Sequence, residues 1–231
     1  TSKRIMSLCG VTLSFKRSFD TRWETIFQSQ DWGKYPSEEA IRFTARNFYN
    51  ADRASIKLLD LGCGAGATSW FLAREGFQCV GIDGSDAAIQ QAKKNLLKDK
   101  LEAHFEVADF ITLPFGESVF DAVYDLNSIQ HNKIQAIEQI YSEVYRVLKP
   151  GGKFLSMCLN DETSIGPESE EVERGTYLKL SSLNHSVNVH LFNHEDLKSL
   201  EKYFQIERQE KITREQNGIK VSHFVLNCTR K

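Results

Sequence analysis

The middle of the chain alternates short hydrophobic runs with segments in which apolar residues recur at helical spacing. In the clearest helical segment, Ile137, Ile140, Tyr141 and Val144 lie at i, i+3, i+4 and i+7, and Pro150-Gly151-Gly152 ends the pattern. Alternating strands and helices predict a parallel sheet with helices on both faces. The predicted strands cover residues 58–61, 78–82, 103–107, 121–125 and 153–159.

A predicted helix precedes this alternating region, and a predicted helix and two strands follow it. Before it, apolar residues from Ile41 to Tyr49 recur at helical spacing, which predicts an amphipathic helix that packs on the sheet. After it, we expect a helix over residues 194–203 and two strands around Asn217-Gly218, a turn typical of hairpins. The predicted fold class is therefore α/β: a doubly wound, Rossmann-like, seven-stranded and mostly parallel sheet with an antiparallel C-terminal hairpin.

Three glycines at alternate positions lie between the first predicted strand and the helix after it. The stretch from Lys57 to Thr68 reads KLLDLGCGAGAT and places them at Gly62, Gly64 and Gly66. A strand that turns through glycines into a helix N-terminus forms a concave pocket lined by the backbone. A Cβ would block both the tight turn and the approach of a ligand to the main chain. The stretch therefore predicts a nucleotide-type ligand.

Acidic residues near the strand ends narrow the class of ligand. Asp83 ends the second strand, where a carboxylate can accept from both ribose hydroxyls, and Asp109 follows the third, where it can accept from an adenine amine. The glycine spacing also loosely fits the fingerprint of NAD-binding proteins. Asp60, however, would repel a pyrophosphate and suits a ligand with a cationic end. These charges favour S-adenosylmethionine, whose sulfonium and ammonium groups are both positive.

Five ordered motifs resemble those of the class I S-adenosylmethionine-dependent methyltransferases. The resemblance covers residues 56–159 in order and spacing. It implies a methyltransferase fold and the transfer of a methyl group from S-adenosylmethionine. The motifs are DLGCGAG at 60–66 for the glycine turn, GIDGS at 81–85 for the ribose, ADF at 108–110 for the adenine, FDAVYDLNSIQH at 120–131 for the fourth strand and RVLKPGG at 146–152 for the turn before the fifth strand.

By this resemblance, residues at four strand ends bind the cofactor. The glycine turn contacts its methionine part, Asp83 its ribose and Asp109 its adenine, while Leu126 or Asn127 lines the face at which the methyl group is transferred. The full predicted set is Asp60, Gly62, Cys63, Gly64, Gly66, Asp83, Gly84, Ser85, Asp109, Phe110, Leu126 and Asn127.

Methyl transfer by in-line displacement requires mainly alignment of the acceptor and exclusion of water. Alignment of this kind can contribute ~7–11 kcal/mol, so a dedicated base is optional. His131, after the fourth strand, is the first candidate for a base, and His190, in the predicted substrate segment, is the second. The alternative for His131 is a histidine that satisfies a helix start.

Four residues outside the core are candidates for the substrate pocket. Trp32 and Tyr35 lie in a glycine- and proline-containing stretch that suggests a flap over the ligand, whereas a place in the core is the alternative. Glu173 and Tyr177 lie in or beside an acidic stretch, for which simple solvation is the alternative. We expect one domain in four parts, namely a helical flap at 1–55, the S-adenosylmethionine-binding core at 56–159, a substrate-covering insertion at 160–193, and a final helix and hairpin at 194–231.

Composition excludes several kinds of partner. The 231 residues carry a net charge of −2, which gives no reason to expect a nucleic acid, and no apolar run approaches the length of a membrane span. Five widely spaced cysteines without a CxxC pair indicate reduced thiols in the cytoplasm, and with the six histidines they form no compact metal-ligand set. Residues 3–15 only faintly resemble a signal peptide and are expected to be a loose leader or an edge element.

We therefore expect methyl transfer to a small molecule that is uncharged overall or basic, carried out by a monomer or homodimer. Two alternatives remain open at this point. One is methylation of a protein or RNA, which a concentrated basic stripe would favour. The other is a non-catalytic module that binds S-adenosylmethionine.

Overall fold

The computed structural model describes residues 18–181 and 186–231, so the leader predicted at residues 3–15 lies outside the described residues. In these two ranges no helix is both long and apolar enough to cross a membrane. The elements are, in chain order, α1 (Arg22–Ser29), α2 (Glu38–Phe48), β1 (Lys57–Leu61), α3 (Ala67–Arg74), β2 (Gln78–Asp83), α4 (Asp86–Lys98), β3 (His104–Val107), β4 (Phe120–Leu126), α5 (Ile134–Val147), β5 (Leu148–Leu159), β6 (Glu170–Glu173), β7 (Thr176–Leu178), β8 (Val189–His190), α6 (Leu197–Glu201), β9 (Phe204–Gln216) and β10 (Ile219–Arg230).

The central sheet has seven strands in the order β3-β2-β1-β4-β5-β10-β9. The first five are parallel, and β10 pairs antiparallel with both β5 and β9. The predicted Rossmann-like fold with a C-terminal hairpin is therefore confirmed. Strand order reverses between β1 and β4, and in such sheets a ligand binds beyond the carboxyl ends of the strands at this switch point.

Successive side chains of β1 pack on opposite faces of the sheet. Leu59 belongs to the core layer that contains Ile140 and Tyr141 of α5. Leu58 belongs to the opposite layer, which contains Phe43 of α2 and Tyr124 of β4. Both layers are fully buried at these positions, so the carboxyl ends of β1 and β4 are held from both faces.

The C-terminal third is more ordered than its sequence pattern predicts. Within 160–193, the strands β6, β7 and β8 form a small antiparallel sheet with β7 in the centre. These strands have only two to four residues, which is too short for an alternating pattern to be recognised. The predicted helix at 194–203 contracts to α6, and the predicted hairpin strands extend to 13 and 12 residues.

Candidate functional site

The glycine turn after β1 has the conformation that only glycine adopts readily. Gly62, Gly64 and Gly66 have φ of 73°, 52° and 84°, and Gly66 begins α3. A Cβ on Gly62 would overlap Ser128, which follows β4 and donates its hydroxyl to Gly62 O at 3.1 Å. The turn is thus packed against the end of β4, and its backbone lines the switch point.

Asp60 supports this turn from beneath. It is 3% exposed, and its Oδ2 accepts hydrogen bonds from the backbone N–H and the hydroxyl of Ser69, at 2.9 and 2.6 Å. Burial raises the pKa of Asp60 to about 6, and the nearby charges of Asp83 and Asp125 act in the same direction. Asp60 therefore joins β1 to α3, and its predicted contact with a cationic ligand stays a prediction.

Asp83 lies beside the turn, as the sequence predicts. Its Oδ2 accepts a hydrogen bond from Gly64 N at 3.0 Å, and its Oδ1 accepts one from Ser85 N at 2.9 Å. Ser85 in turn accepts from Ala88 N and thereby begins α4. Burial raises the pKa of Asp83 to about 6, with the charge of Glu24 acting in the same direction. The structure thus brings the predicted methionine and ribose sites into contact.

Asp109, after β3, is engaged by the part of the chain that precedes α1. Its Oδ2 accepts from Ser18 N at 2.7 Å, and its Oδ1 accepts from the Ser18 hydroxyl and from Ile111 N. The neighbouring Phe110 reaches the turn, where a Cβ on Gly62 would lie 3.3 Å from its ring. We call the glycine turn together with Asp83 and Asp109 the cofactor rim.

The end of β4 presents a strained residue. Asn127 has φ of 64°, an uncommon value for a residue other than glycine, and its backbone N–H donates to Met157 O at 2.9 Å. Its Oδ1 is buried without a hydrogen-bond partner among the described residues. Asp125 holds the next turn by accepting from Ser128 N and Ile129 N at 2.9 and 3.0 Å. A buried acceptor beside the glycine turn fits a hydrogen-bond donor of a bound molecule.

His131 lies one turn beyond, between α1 and the small sheet. Its Nδ1 is 2.9 Å from Asn188 O, and its ring packs edge-on against Trp23 at 4.7 Å between centroids. Because a carbonyl oxygen only accepts, Nδ1 carries the proton, and the lone pair on Nε2 of the neutral ring accepts from the Gln130 side-chain amide at 3.4 Å. Burial lowers the pKa of His131 to about 4, so the ring is neutral at pH 7.

His190 has a different environment from His131. It is 2% exposed, its Nδ1 is 2.9 Å from the Thr176 hydroxyl, and its Nε2 is 3.3 Å from Asp196 Oδ2. Its ring packs against Phe192, whereas the preceding Val189 belongs to the apolar group that contacts α1. The side chain thus points away from α1 and joins β7, β8 and α6, and these contacts favour a structural role.

The four predicted substrate residues are dispersed. Glu173 accepts from Ile134 N at 2.8 Å and so begins α5, while Tyr177 packs against the apolar group that contacts α1. Trp32 is 39% exposed with its ring 5.4 Å from that of Phe27. Tyr35 is 76% exposed on the outer side of α3. Of the four, only Tyr177 and Trp32 pack near α1.

The cofactor rim is covered by residues 18–27, which we call the N-terminal segment and which lie within the flap expected at residues 1–55. Besides Ser18 on Asp109, a Cβ on Gly84 would overlap the ring of Phe19, and a Cβ on Gly64 would lie 3.3 Å from Phe27. Glu24 accepts from the Ser85 hydroxyl at 2.6 Å and from Ala87 N at 3.3 Å. The expectation of a flap at residues 1–55 did not identify Ser18, Phe19 or Glu24 as the residues that make these contacts.

Comparison with known proteins agrees with this geometry. A family model described as a methyltransferase domain matches residues 58–152. A solved S-adenosylmethionine-dependent methyltransferase of Methanosarcina mazei is 25% identical with a TM-score of 0.63 and covers 75% of this chain and 92% of its own. The chain carries a class I S-adenosylmethionine-dependent methyltransferase domain. The PH0226 protein of Pyrococcus horikoshii shares the fold at 26% identity and a TM-score of 0.69, over 84% of this chain and 89% of its own.

Curated relatives of the methyltransferase domain include two fungal sterol 24-C-methyltransferases. The enzyme of Pneumocystis carinii is 34% identical over 68% of this chain and 44% of its own length. The enzyme of Saccharomyces cerevisiae is 35% identical over 56% of this chain and 37% of its own length. The chain spans less than half the length of these relatives.

S-adenosylmethionine is the cofactor of this methyltransferase domain, and the residues present fit it. Three buried carboxylates, Asp60, Asp83 and Asp125, place negative charge around the glycine turn, which suits a sulfonium ion and opposes a pyrophosphate. The unpartnered Asn127 Oδ1 provides a hydrogen-bond acceptor at the same place. Among residues 18–181 and 186–231, no group of three or more His, Cys, Asp or Glu is arranged to hold a metal ion.

Proposed function

We propose that the domain methylates a carbon atom of an apolar small molecule of the sterol type, with S-adenosylmethionine as the methyl donor. The observation that carries this proposal is the apolar group beside His131. Trp23 and Ile26 of α1 pack there against buried aliphatic side chains of β5, of β8 and of the segments that flank β7 and β8. The aliphatic members are Leu159, Leu180, Val187, Val189 and Leu191. The names of the sterol-methylating relatives support the same class of acceptor.

Two acidic residues of the small sheet are engaged by hydrogen bonds within the protein. Glu171 accepts from Gly175 N at 2.9 Å, and Glu173 holds the start of α5. The neighbouring Tyr177 and Val189 instead pack in the apolar group. The acidic composition of 160–174 therefore supports no charged acceptor, and an uncharged acceptor remains the better proposal.

The side chains around His131 can support reaction at carbon. Bound S-adenosylmethionine supplies an electrophilic methyl group on a positively charged sulfur. A carbon acceptor with a double bond must release a proton after it gains the methyl group, and His131 can accept that proton at Nε2. Trp23 and the aliphatic residues around it exclude water from the same place. Asn127 contributes a fixed acceptor at the end of β4.

The test is a panel of methyl acceptors offered to the purified protein with methyl-labelled S-adenosylmethionine. The panel contains an unsaturated sterol, its saturated counterpart, a basic amine, a phosphate-bearing lipid, a mixed peptide pool and total RNA. We expect label in the unsaturated sterol and not in its saturated counterpart. Label confined to peptides, RNA or the phosphate-bearing lipid would contradict the proposal, and binding without any transfer would indicate a non-catalytic module.

Location and assembly are also proposals. The cysteines of the described residues, at 63, 79, 158 and 228, are free and buried, and burial raises the pKa of the Cys63 thiol well above its usual value. Reduced, unreactive thiols support a cytoplasmic location. We propose a monomer or homodimer, which light scattering on the purified chain tests directly.

A further inference from the structure

The N-terminal segment contacts the atoms of the cofactor rim that the adenosine half of S-adenosylmethionine needs. We propose that Ser18 and Phe19 form a plug that takes the place of the adenosine group, so that the segment must withdraw before the cofactor binds. This inference rests on the assignment of Asp83 and Asp109 to the adenosine group.

The first part of the plug is the contact between Ser18 and Asp109. Both carboxylate oxygens accept from Ser18, one from its backbone N–H at 2.7 Å and the other from its hydroxyl. An adenine amine recognised by Asp109 would donate to these same oxygens. Hydrogen bonds to a carboxylate are stronger than those between neutral groups, so this contact competes directly with the adenine.

The second part is the Phe19 ring. It lies so close to Gly84 that a Cβ there would overlap three of its ring carbons. Gly84 directly follows Asp83, the predicted ribose ligand, at the end of β2. A flat aromatic ring thus covers the backbone between the ribose and adenine positions. Phe19 and Ser18 together reproduce two features of an adenosine group, a planar ring and an adjacent hydrogen-bond donor.

The other end of the segment is anchored to α4. Gln91 donates to Phe27 O at 2.6 Å and to Gln30 O at 2.9 Å. Farther along, Lys34 pairs with Asp99 at 2.6 Å. These contacts lie beyond the cofactor rim, so cofactor binding need not break them. We therefore place the pivot of the movement at the C-terminal end of α1, with Ser18 and Phe19 as the part that withdraws.

The plug predicts that two substitutions increase the affinity for S-adenosylmethionine instead of lowering it. If the binding-competent state is only a fraction of the population, the apparent Kd is the intrinsic Kd divided by that fraction. Ser18→Ala and Phe19→Ala each remove a contact that favours the closed state. We therefore expect each variant to bind S-adenosylmethionine about tenfold more tightly than the wild type. Residues that merely line the bound cofactor would give weaker binding when truncated.

The experiment is calorimetric titration of wild type, Ser18→Ala, Phe19→Ala and Thr25→Ala with S-adenosylmethionine. Thr25 is exposed on α1 and serves as the matched control with unchanged affinity. Hydrogen exchange on the wild type is the second readout, and faster exchange of residues 18–21 on cofactor binding is expected. Ser18→Ala keeps the test valid should Phe19→Ala fold poorly.

The outcomes distinguish failure of the plug from failure of the cofactor assignment on which it rests. Weaker or unchanged binding by both variants, or slower exchange of residues 18–21 in the bound protein, overturns the plug and leaves the cofactor assignment intact. Absence of S-adenosylmethionine binding in the wild type and in all variants overturns the cofactor assignment and the plug together.

Discussion

The cofactor rim and the N-terminal segment face each other, but they are held in different ways. Asp83 on the rim is 8% exposed and is fixed by backbone donors at both oxygens, Gly64 N and Ser85 N. The N-terminal segment is held on the rim mostly by side chains, including Ser18 on Asp109 and Glu24 on Ser85. A preorganised rim gives affinity, whereas a side-chain-held cover can be exchanged for a ligand.

His131 and His190 allow a second comparison, between a proposed proton acceptor and a structural residue. We expect the largest effect of a substitution on kcat at His131. His131→Ala should lower kcat by about 10²- to 10⁴-fold, because the proposed proton acceptor beside the apolar group is lost. The Kd for S-adenosylmethionine should stay unchanged, which calorimetry checks. His190→Ala is the matched variant, for which we expect a lower Tm and a nearly unchanged kcat of the folded protein. An equal loss of kcat in both variants would contradict the assignment of His131.

Asp83→Ala tests the rim itself. Loss of a buried, hydrogen-bonded carboxylate that binds a ligand costs about 2–5 kcal/mol, so the Kd for S-adenosylmethionine should rise by about 30-fold or more. Asp86→Ala, an exposed position three residues along, is the control and should bind as the wild type does. Circular dichroism shows whether the Asp83 variant is folded. Wild-type affinity in a folded Asp83→Ala protein would refute the ribose assignment.

Gly62→Ala tests the packing between the glycine turn and β4. Its φ of 73° and the overlap with Ser128 should cost about 1–3 kcal/mol of unfolding free energy, which urea denaturation measures. Gly33→Ala is the control because nothing lies within 4 Å of the added Cβ. Equal stability of the two variants would show that the turn relaxes freely.

The stability of the protein and its affinity for the cofactor should both depend on pH. The pKa of Asp60, Asp83 and Asp125 is raised to about 6 from a usual 3.8, so the folded state binds more protons between about pH 4 and 6. These groups therefore make the protein less stable as the pH rises through that range. Cofactor affinity should change in the opposite direction and be about tenfold weaker at pH 5 than at pH 7, since protonated Asp83 loses its charge. Affinity that does not change with pH in the wild type would contradict this prediction, and Asp83→Asn should remove most of the dependence.

The smallest effect is expected at the anchor of the N-terminal segment. The Lys34–Asp99 pair is partly exposed, so Lys34→Ala should lower the Tm only slightly. Thermal denaturation measures this change, and the Kd for the cofactor should stay within twofold of the wild-type value. A large loss of affinity would show that the anchor and the cofactor rim are coupled.

The cofactor rim was predictable because its glycine and aspartate residues lie at the ends of successive predicted strands. Gly62, Gly64, Asp83 and Asp109 follow successive strands, and parallel strands bring their carboxyl ends to one edge. The structure confirms this fold and brings Gly64 against Asp83 at 3.0 Å. That these residues bind the cofactor stays a prediction until a titration tests it.

The sequence predicts a flap at residues 1–55, but the contacts that this flap makes were not predictable from local pattern. Ser18, Phe19 and Glu24 reach partners 61 to 91 residues away in the chain, and no spacing rule records such contacts. The same limit applies to His190, because a two-residue strand does not reveal which face each side chain takes. The residues of the apolar group come from α1, β5, β8 and the segments that flank β7 and β8, so only the assembled fold shows their proximity to His131.

The most direct test of the central claim uses S-adenosylmethionine with a fully deuterated methyl group and an unsaturated sterol. Mass spectrometry of the sterol fraction reports both the transfer and the number of deuterium atoms retained. We predict a methylated sterol that carries the complete deuterated methyl group with wild type, and almost none with His131→Ala. An unmodified sterol fraction, with the deuterated methyl group found on protein or RNA, would contradict the account.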